Sequence, residues 1–145
     1  MYKSILIPTD GSGFCERAVR QGIALAKSIG AKVVGVTVSQ PLHTAIPRDL
    51  VPEHLVAIVE AEIVKSANER LAGLQQAAVA AGVAVETVRA SHDHPWEAIV
   101  RTAKDKSCDL IVMASHGRRG VSSLILGSET QKVLTHTDLP VLVVR

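Results

Sequence analysis

Five short, almost wholly apolar runs, separated by longer stretches of helical periodicity, leave this chain few architectures to choose from. The runs are Lys3 to Pro8, Ala31 to Val38, Val83 to Arg89, Asp109 to Met113 and Leu139 to Val144. Most are apolar at successive positions, the pattern of strands covered on both faces and therefore of a parallel sheet. Val83 to Arg89 alternates instead, with Val83, Val85 and Thr87 on one face, which suits a sheet edge. Between the first two runs, Ala18, Val19, Ile23, Ala26 and Ile29 keep the helical period up to Gly30, a residue suited to end a helix. Gln40 to Asp49 holds Pro41 and Pro47, has no period and reads as a surface loop. A long helical segment from Pro52, placed in its first turn, to Gly82 carries a stripe of Leu55, Ile58, Val59, Ile63, Leu71 and Leu74, with Glu62, Lys65, Glu69 and Arg70 on a solvated side. Pro95 opens a further helix in which Trp96, Ile99, Val100 and Ala103 share one face as packing residues.

Strand and helix in alternation predict an α/β fold with helices on both faces, because right-handed crossovers put them there. The expected form is a Rossmann-like, five-stranded parallel sheet in the order 3-2-1-4-5. Its 145 residues are enough for one core and short for two, so residues 1–145 are expected to form one domain. With 47% hydrophobic and 2% aromatic residues, that core must consist of Val, Ile, Leu and Ala. Sixteen basic residues against fourteen acidic leave +2, which argues against a general nucleic-acid or membrane surface. Cys15 and Cys108 have no paired spacing and read as buried small groups, no run reaches a membrane span, and no secretory leader precedes Ile5-Leu6-Ile7. A soluble protein of the reducing cytoplasm is the expectation.

Ligands of such sheets bind beyond the carboxyl ends of the strands, where the order reverses. Here that point lies between the strands ending at Pro8 and Met113. Thr9 and Asp10 follow the first; Ala114-Ser115-His116-Gly117-Arg118-Arg119-Gly120 follow the second. The glycines let backbone N–H groups approach a ligand, and the arginines keep their charge. Beyond them, Gly127-Ser128-Glu129-Thr130-Gln131 reads as a helix start, with Ser128 and Gln131 as a reciprocal capping box. Unpaired N–H groups and the helix dipole stabilise an anion there, so the loop suits phosphate; a turn with two solvated arginines is the simpler reading. Asp10 is placed to accept from ribose hydroxyls or to cap the following helix, and the backbone of Thr37-Val38-Ser39 to meet a base edge. His116 sits in the anion loop as a phosphate donor, a base or a loop-stabilising group. His92 and His94, flanking Asp93, are a metal candidate that lacks a third fixed ligand. The lysine-bearing P-loop pattern is absent, and with it any obvious machinery for rapid ATP turnover.

The opening Ile5-Leu6-Ile7-Pro8-Thr9-Asp10-Gly11-Ser12, the closing Leu139-Pro140-Val141-Leu142-Val143-Val144, and Gly117 followed after nine residues by Gly127 and Ser128 resemble the universal stress protein family. That family's ATP-binding members show Gly, two residues, Gly, nine residues, Gly, then Ser or Thr; Ala114 stands at the first glycine. The resemblance implies that Asp10 meets the ribose, that the Val38 backbone meets adenine, and that Ala114, His116, Gly117, Gly127 and Ser128 line the phosphates. Pro8, Thr9, Met113, Arg118, Arg119, Gly120 and Glu129 complete the expected contact set. The implied ligand is ATP, AMP or ADP, with Mg²⁺ or Mn²⁺ as the accompanying cation, in a small regulatory module of the stress response. The Ala114 methyl is a small obstacle on extended backbone and a serious one at positive φ. The last strand, nearly all Val and Leu, would leave a bare edge, so a two-fold homodimer through Val141, Leu142, Val143 and Val144 is expected. The alternatives are a slow ATP hydrolase, an interaction domain with a degenerate pocket, and a flavodoxin-like or receiver domain; a receiver wants an acidic cluster where only Asp10 is apparent.

Overall fold

The computed structural model describes residues 1–117 and 125–145. In chain order these form β1 (Ser4–Pro8), α1 (Gly13–Ile29), β2 (Lys32–Ser39), the short α2 (Leu42–Ala45), a 3₁₀ turn (Arg48–Leu50), α3 (Glu53–Ala80), β3 (Val85–Ser91), α4 (Pro95–Asp105), β4 (Leu110–Ala114), α5 (Ser128–His136) and β5 (Val141–Val144). The strands pair in parallel, in the order β3-β2-β1-β4-β5. The expected sheet order is therefore the observed one, with the alternating β3 at one edge and β5 at the other.

The two faces of the sheet divide the core. On one, Ile5, Ile7, Val33 and Val112 pack with Ala18, Ile23 and Ala26 of α1 and with Leu74 and Ala78 of α3. On the other, Leu6, Val34, Val36, Ile111 and Met113 meet Ile99, Val100 and Ala103 of α4 and Val133 of α5. Neighbouring residues thus serve opposite layers, which is why the central strands are apolar throughout. Gly35 is a true close approach, since a Cβ there would lie 2.6 Å from Leu74 Cδ2. At the amino end of the sheet, the Asp109 carboxylate accepts from the backbone of Lys3 at 2.8 Å and of Ser4 at 3.0 Å, pinning β1 beside β4.

Several boundaries and faces differ from the sequence reading. Strand β3 runs from Val85 to Ser91 rather than from Val83 to Arg89, because Val83 is spent closing α3, its N–H donating to Ala78 O after Gly82 turns the chain at φ +74°. Strand β5 begins at Val141, not Leu139. Pro52 caps α3 instead of entering it, and the stretch read as a loop from Gln40 holds α2 and the 3₁₀ turn. The expected stripe of α3 is buried only in its inner half: Leu71 and Leu74 are covered, whereas Leu55 is 37% and Ile58 64% exposed. The cause is length. Twenty-eight helical residues span about 42 Å, while the eight residues of β2 span about 26 Å. The outer half of α3 therefore runs past the carboxyl edge of the sheet and overhangs whatever lies there.

Candidate functional site

A cavity of about 1080 Å³ opens at that carboxyl edge. Pro8, Thr9 and Asp10 form its floor from β1, Val36 and Val38 from β2, and Met113 and Ala114 from β4, followed by His116, Gly117, Gly127, Ser128 and Glu129. Eleven of the sequence-predicted site residues described by the structure thus share one cavity wall, although β1 and the start of α5 lie more than a hundred residues apart. Arg118, Arg119 and Gly120 lie outside the described residues. A smaller cavity of about 570 Å³ on the other side of the α3 overhang is lined by Leu42, Ile46, Arg48, Val56 and Arg89 among others, and by none of the predicted set.

The turn after β1 is held by its own side chains: Thr9 Oγ1 accepts from Gly11 N at 3.2 Å and Asp10 Oδ1 from Ser12 N at 2.8 Å. Gly11 takes φ +76°, and Ser12, not Asp10, caps α1 by accepting from Cys15 N at 3.4 Å. Asp10 therefore shapes the turn and directs its other oxygen across the crevice, where a Cβ on Gly117 would lie 2.7 Å from Oδ2. A side chain at 117 would therefore have to displace the Asp10 carboxylate.

The opposite lip is made by the chain returning over the end of β4. Gly127 N donates to Ser115 O at 2.8 Å, and a Cβ on Gly127 would stand 2.9 Å from that same oxygen. Gly127, with φ −59° and ψ 146°, is accordingly the N-cap of α5, and Ser128 is its first helical residue. The expected capping box does not form: Gln131 reaches back to Leu126 O at 2.9 Å. Thr130 Oγ1 instead donates to Ala114 O at 2.9 Å, tying the first turn of α5 to β4. Ala114 is the last residue of β4 and lacks positive φ, so its methyl costs no backbone strain there.

His116 is 8% exposed; its Nδ1 lies 3.0 Å from Ser115 Oγ, and its Nε2 has no hydrogen-bond partner among the described residues. A buried ring nitrogen in a cavity wall without a protein partner is costly to keep. The Glu129 carboxylate is engaged elsewhere, accepting from Trp96 N at 2.9 Å and from Lys132 Nζ at 3.4 Å, so it joins the starts of α4 and α5. Trp96 is a packing residue as expected, set against the His136 ring at 4.3 Å between centroids. Cys15 also lines the cavity, and burial pushes its thiol up to about 11, which keeps it neutral and a poor nucleophile. At the cavity rim, the Thr44 hydroxyl donates to Asp93 and holds that carboxyl below its usual range. His92 Nδ1 accepts from His94 N at 3.0 Å, and among the described residues no group of three His, Cys, Asp or Glu could hold a metal ion.

The wall also includes residues that periodicity alone had assigned to solvent. Glu62 and Arg70 line the cavity together with Val59, Ile63 and Ser66, because the overhang turns this side of α3 towards the crevice. Their four-residue spacing is the signal in the sequence, since Glu62, Ser66 and Arg70 stack on successive turns.

A parallel doubly wound sheet with a glycine-lined crevice at its topological switch point, beyond β1 and β4, defines a Rossmann-like α/β protein. Residues 1–145 match the model of the universal stress protein family, and the chain belongs to that family. It is 36% identical, over the full length of both chains, to the universal stress protein in the QAH/OAS sulfhydrylase 3′ region of Thermus aquaticus. The solved structure of MJ0577 from Methanocaldococcus jannaschii superposes with a TM-score of 0.84 at 27% identity, covering 99% of this chain and 96% of that one. A universal stress protein solved in complex with cAMP superposes with a TM-score of 0.72 at 24% identity, covering 99% of this chain and 96% of the other. Among the described residues no helix is long and apolar enough to cross a membrane.

Proposed function

We propose that this protein is a nucleotide-binding regulatory module of the universal stress protein family, holding ATP or AMP in the crevice between β1 and β4. The observation that carries the reading is the buried Nε2 of His116, without a partner among the described residues, in the wall of a cavity large enough for a nucleotide. The N–H groups at the start of α5 lie in the same wall, so an anion placed there gains donors and dipole together. Asp10 serves the ribose, the Val38 backbone the adenine, and Ala114, His116, Gly117, Gly127 and Ser128 the phosphates. Pro8, Thr9 and Met113 shape the floor, and Arg118, Arg119 and Gly120 complete the anion loop. A relative of the same fold takes up cAMP, in keeping with an adenine ligand here. Mg²⁺ or Mn²⁺ accompanies the nucleotide as its own counter-ion.

In this reading residues 1–145 act as one cytoplasmic domain in the stress response and pair two-fold through β5, whose Leu142 is 43% exposed. Isothermal titration with ATP and AMP tests the binding: saturable micromolar affinity, weakened about tenfold by His116→Ala, is expected. Absence of heat with either nucleotide would leave a non-nucleotide interaction domain as the better account. A single-turnover assay with Mg²⁺ or Mn²⁺ is expected to return intact ATP, and clear turnover abolished by His116→Ala would make the protein a hydrolase instead.

A further inference from the structure

The polar stripe of α3 has a definite order along the crevice. Glu62, Ser66 and Arg70 all line the cavity, and Arg70 is the innermost of the three. Leu74, one turn further along α3, packs at Gly35 of β2, which is in register with Ile7 of β1. One helical turn covers about 5.4 Å and two strand residues about 6.6 Å. Because α3 returns antiparallel to the strands and packs on β2 and β3, Arg70 stands over β2 at the height of Thr9. Asp10 and Cys15, which line the same cavity, follow immediately in the turn and the start of α1.

The side chain is half-buried, and its Nη2 donates to Ser66 Oγ at 3.1 Å, which orients the guanidinium from a rigid helix. Asp10, Glu62, Asp93 and Glu129 line the same cavity, and among the described residues of the wall these carboxylates outnumber the permanent cations. Among the described residues of the wall, the permanent cations are Arg70 and Lys132, and Lys132 is exposed beside Glu129 on the opposite side. A guanidinium stays charged at any working pH and presents a planar fork that matches two phosphate oxygens.

Building on the nucleotide-binding reading, we propose that Arg70 is a specificity-determining residue whose guanidinium takes the phosphate attached to the ribose, so that the crevice selects nucleoside phosphates over nucleosides. Titration of wild type, Arg70→Gln and Arg70→Lys with adenosine, AMP and ATP tests this. Arg70→Gln is expected to weaken AMP and ATP about tenfold or more while leaving adenosine within twofold, since only a charge-assisted bond to phosphate is lost. Arg70→Lys, which keeps the charge but loses the fork, falls between. Unchanged AMP affinity in Arg70→Gln, or an equal loss for adenosine, overturns the proposal, the second result making Arg70 a structural prop of the wall. The wild-type titration separates the two layers of inference: if wild type takes none of the three ligands the nucleotide-binding reading itself fails, whereas if it takes them and Arg70→Gln shows no selective loss, only the role of Arg70 does.

Discussion

At the scale of single residues, the crevice is shaped by close contacts between residues far apart in sequence. Gly117 is the clearest case, because an added methyl meets the tip of a side chain, Asp10 Oδ2 at 2.7 Å, and no backbone among the described residues. To make room the Asp10 carboxylate must shift, and it then leaves the orientation proposed for the ribose. Gly117→Ala should move the melting temperature little, since its backbone is not left-handed and alanine's restriction of the unfolded chain offsets the shift of Asp10. The same change should weaken AMP and ATP by roughly tenfold, about 1.4 kcal/mol. Calorimetry and thermal melts on one preparation check both halves, and equal affinity with a lowered melting point would make Gly117 structural rather than functional. The glycine was legible in the sequence as part of a spaced pattern. That Asp10 is what crowds a side chain there was not, because the two meet only across the folded sheet.

At the scale of elements, the sheet is held at its two ends by different means, and only one of them serves the site. At the amino end, Asp109 takes the N–H groups of Lys3 and Ser4 and sets the lateral position of β1 against β4, and so the width of the crevice at the other end. Partial burial works against the ionised carboxylate, but the two donated bonds outweigh it and hold Asp109 below the usual carboxylate range. Because the folded value is depressed, the stability it contributes is present above about pH 3.8 and is lost as the pH falls through the lower folded value. Asp109→Ala should cost about 1 to 3 kcal/mol at pH 7, and the gap from wild type should close below pH 3.8 in urea titrations. A gap that persists in acid would mean the loss comes from packing. At the carboxyl end, the tie is Thr130 to Ala114 and Gly127 to Ser115, which fixes the start of α5 over β4. The sequence announced a helix start here but put the cap one residue late. Local propensity favours serine as a cap, whereas the close crossing over Ser115 admits only glycine at that point.

At the scale of the whole molecule, the unpaired side of β5 is the feature left to account for. Pro140 O accepts from Ile111 N and Val144 O from Ser115 N, so by alternation the backbone groups of Val141 and Val143 face away from β4. A partner strand would use those groups. Val143→Pro removes the outward N–H, and sedimentation should show a dimer becoming a monomer with its helical circular dichroism retained. A wild type already monomeric at micromolar concentration would dispose of pairing through β5. What the sequence determined unaided was the alternation of strand and helix, the parallel sheet with β3 at its edge, and the two turns that meet at the switch point. These follow from apolar period and from glycine placement, which are local properties of the chain. What only the tertiary structure decided is which side of α3 faces a ligand. Periodicity cannot know that a helix outruns the sheet it packs on, so Leu55 and Ile58 were expected inside and Arg70 outside. Past the carboxyl edge there is no strand left to bury an apolar stripe, and Glu62, Ser66 and Arg70 join Val59 and Ile63 in the wall of the crevice.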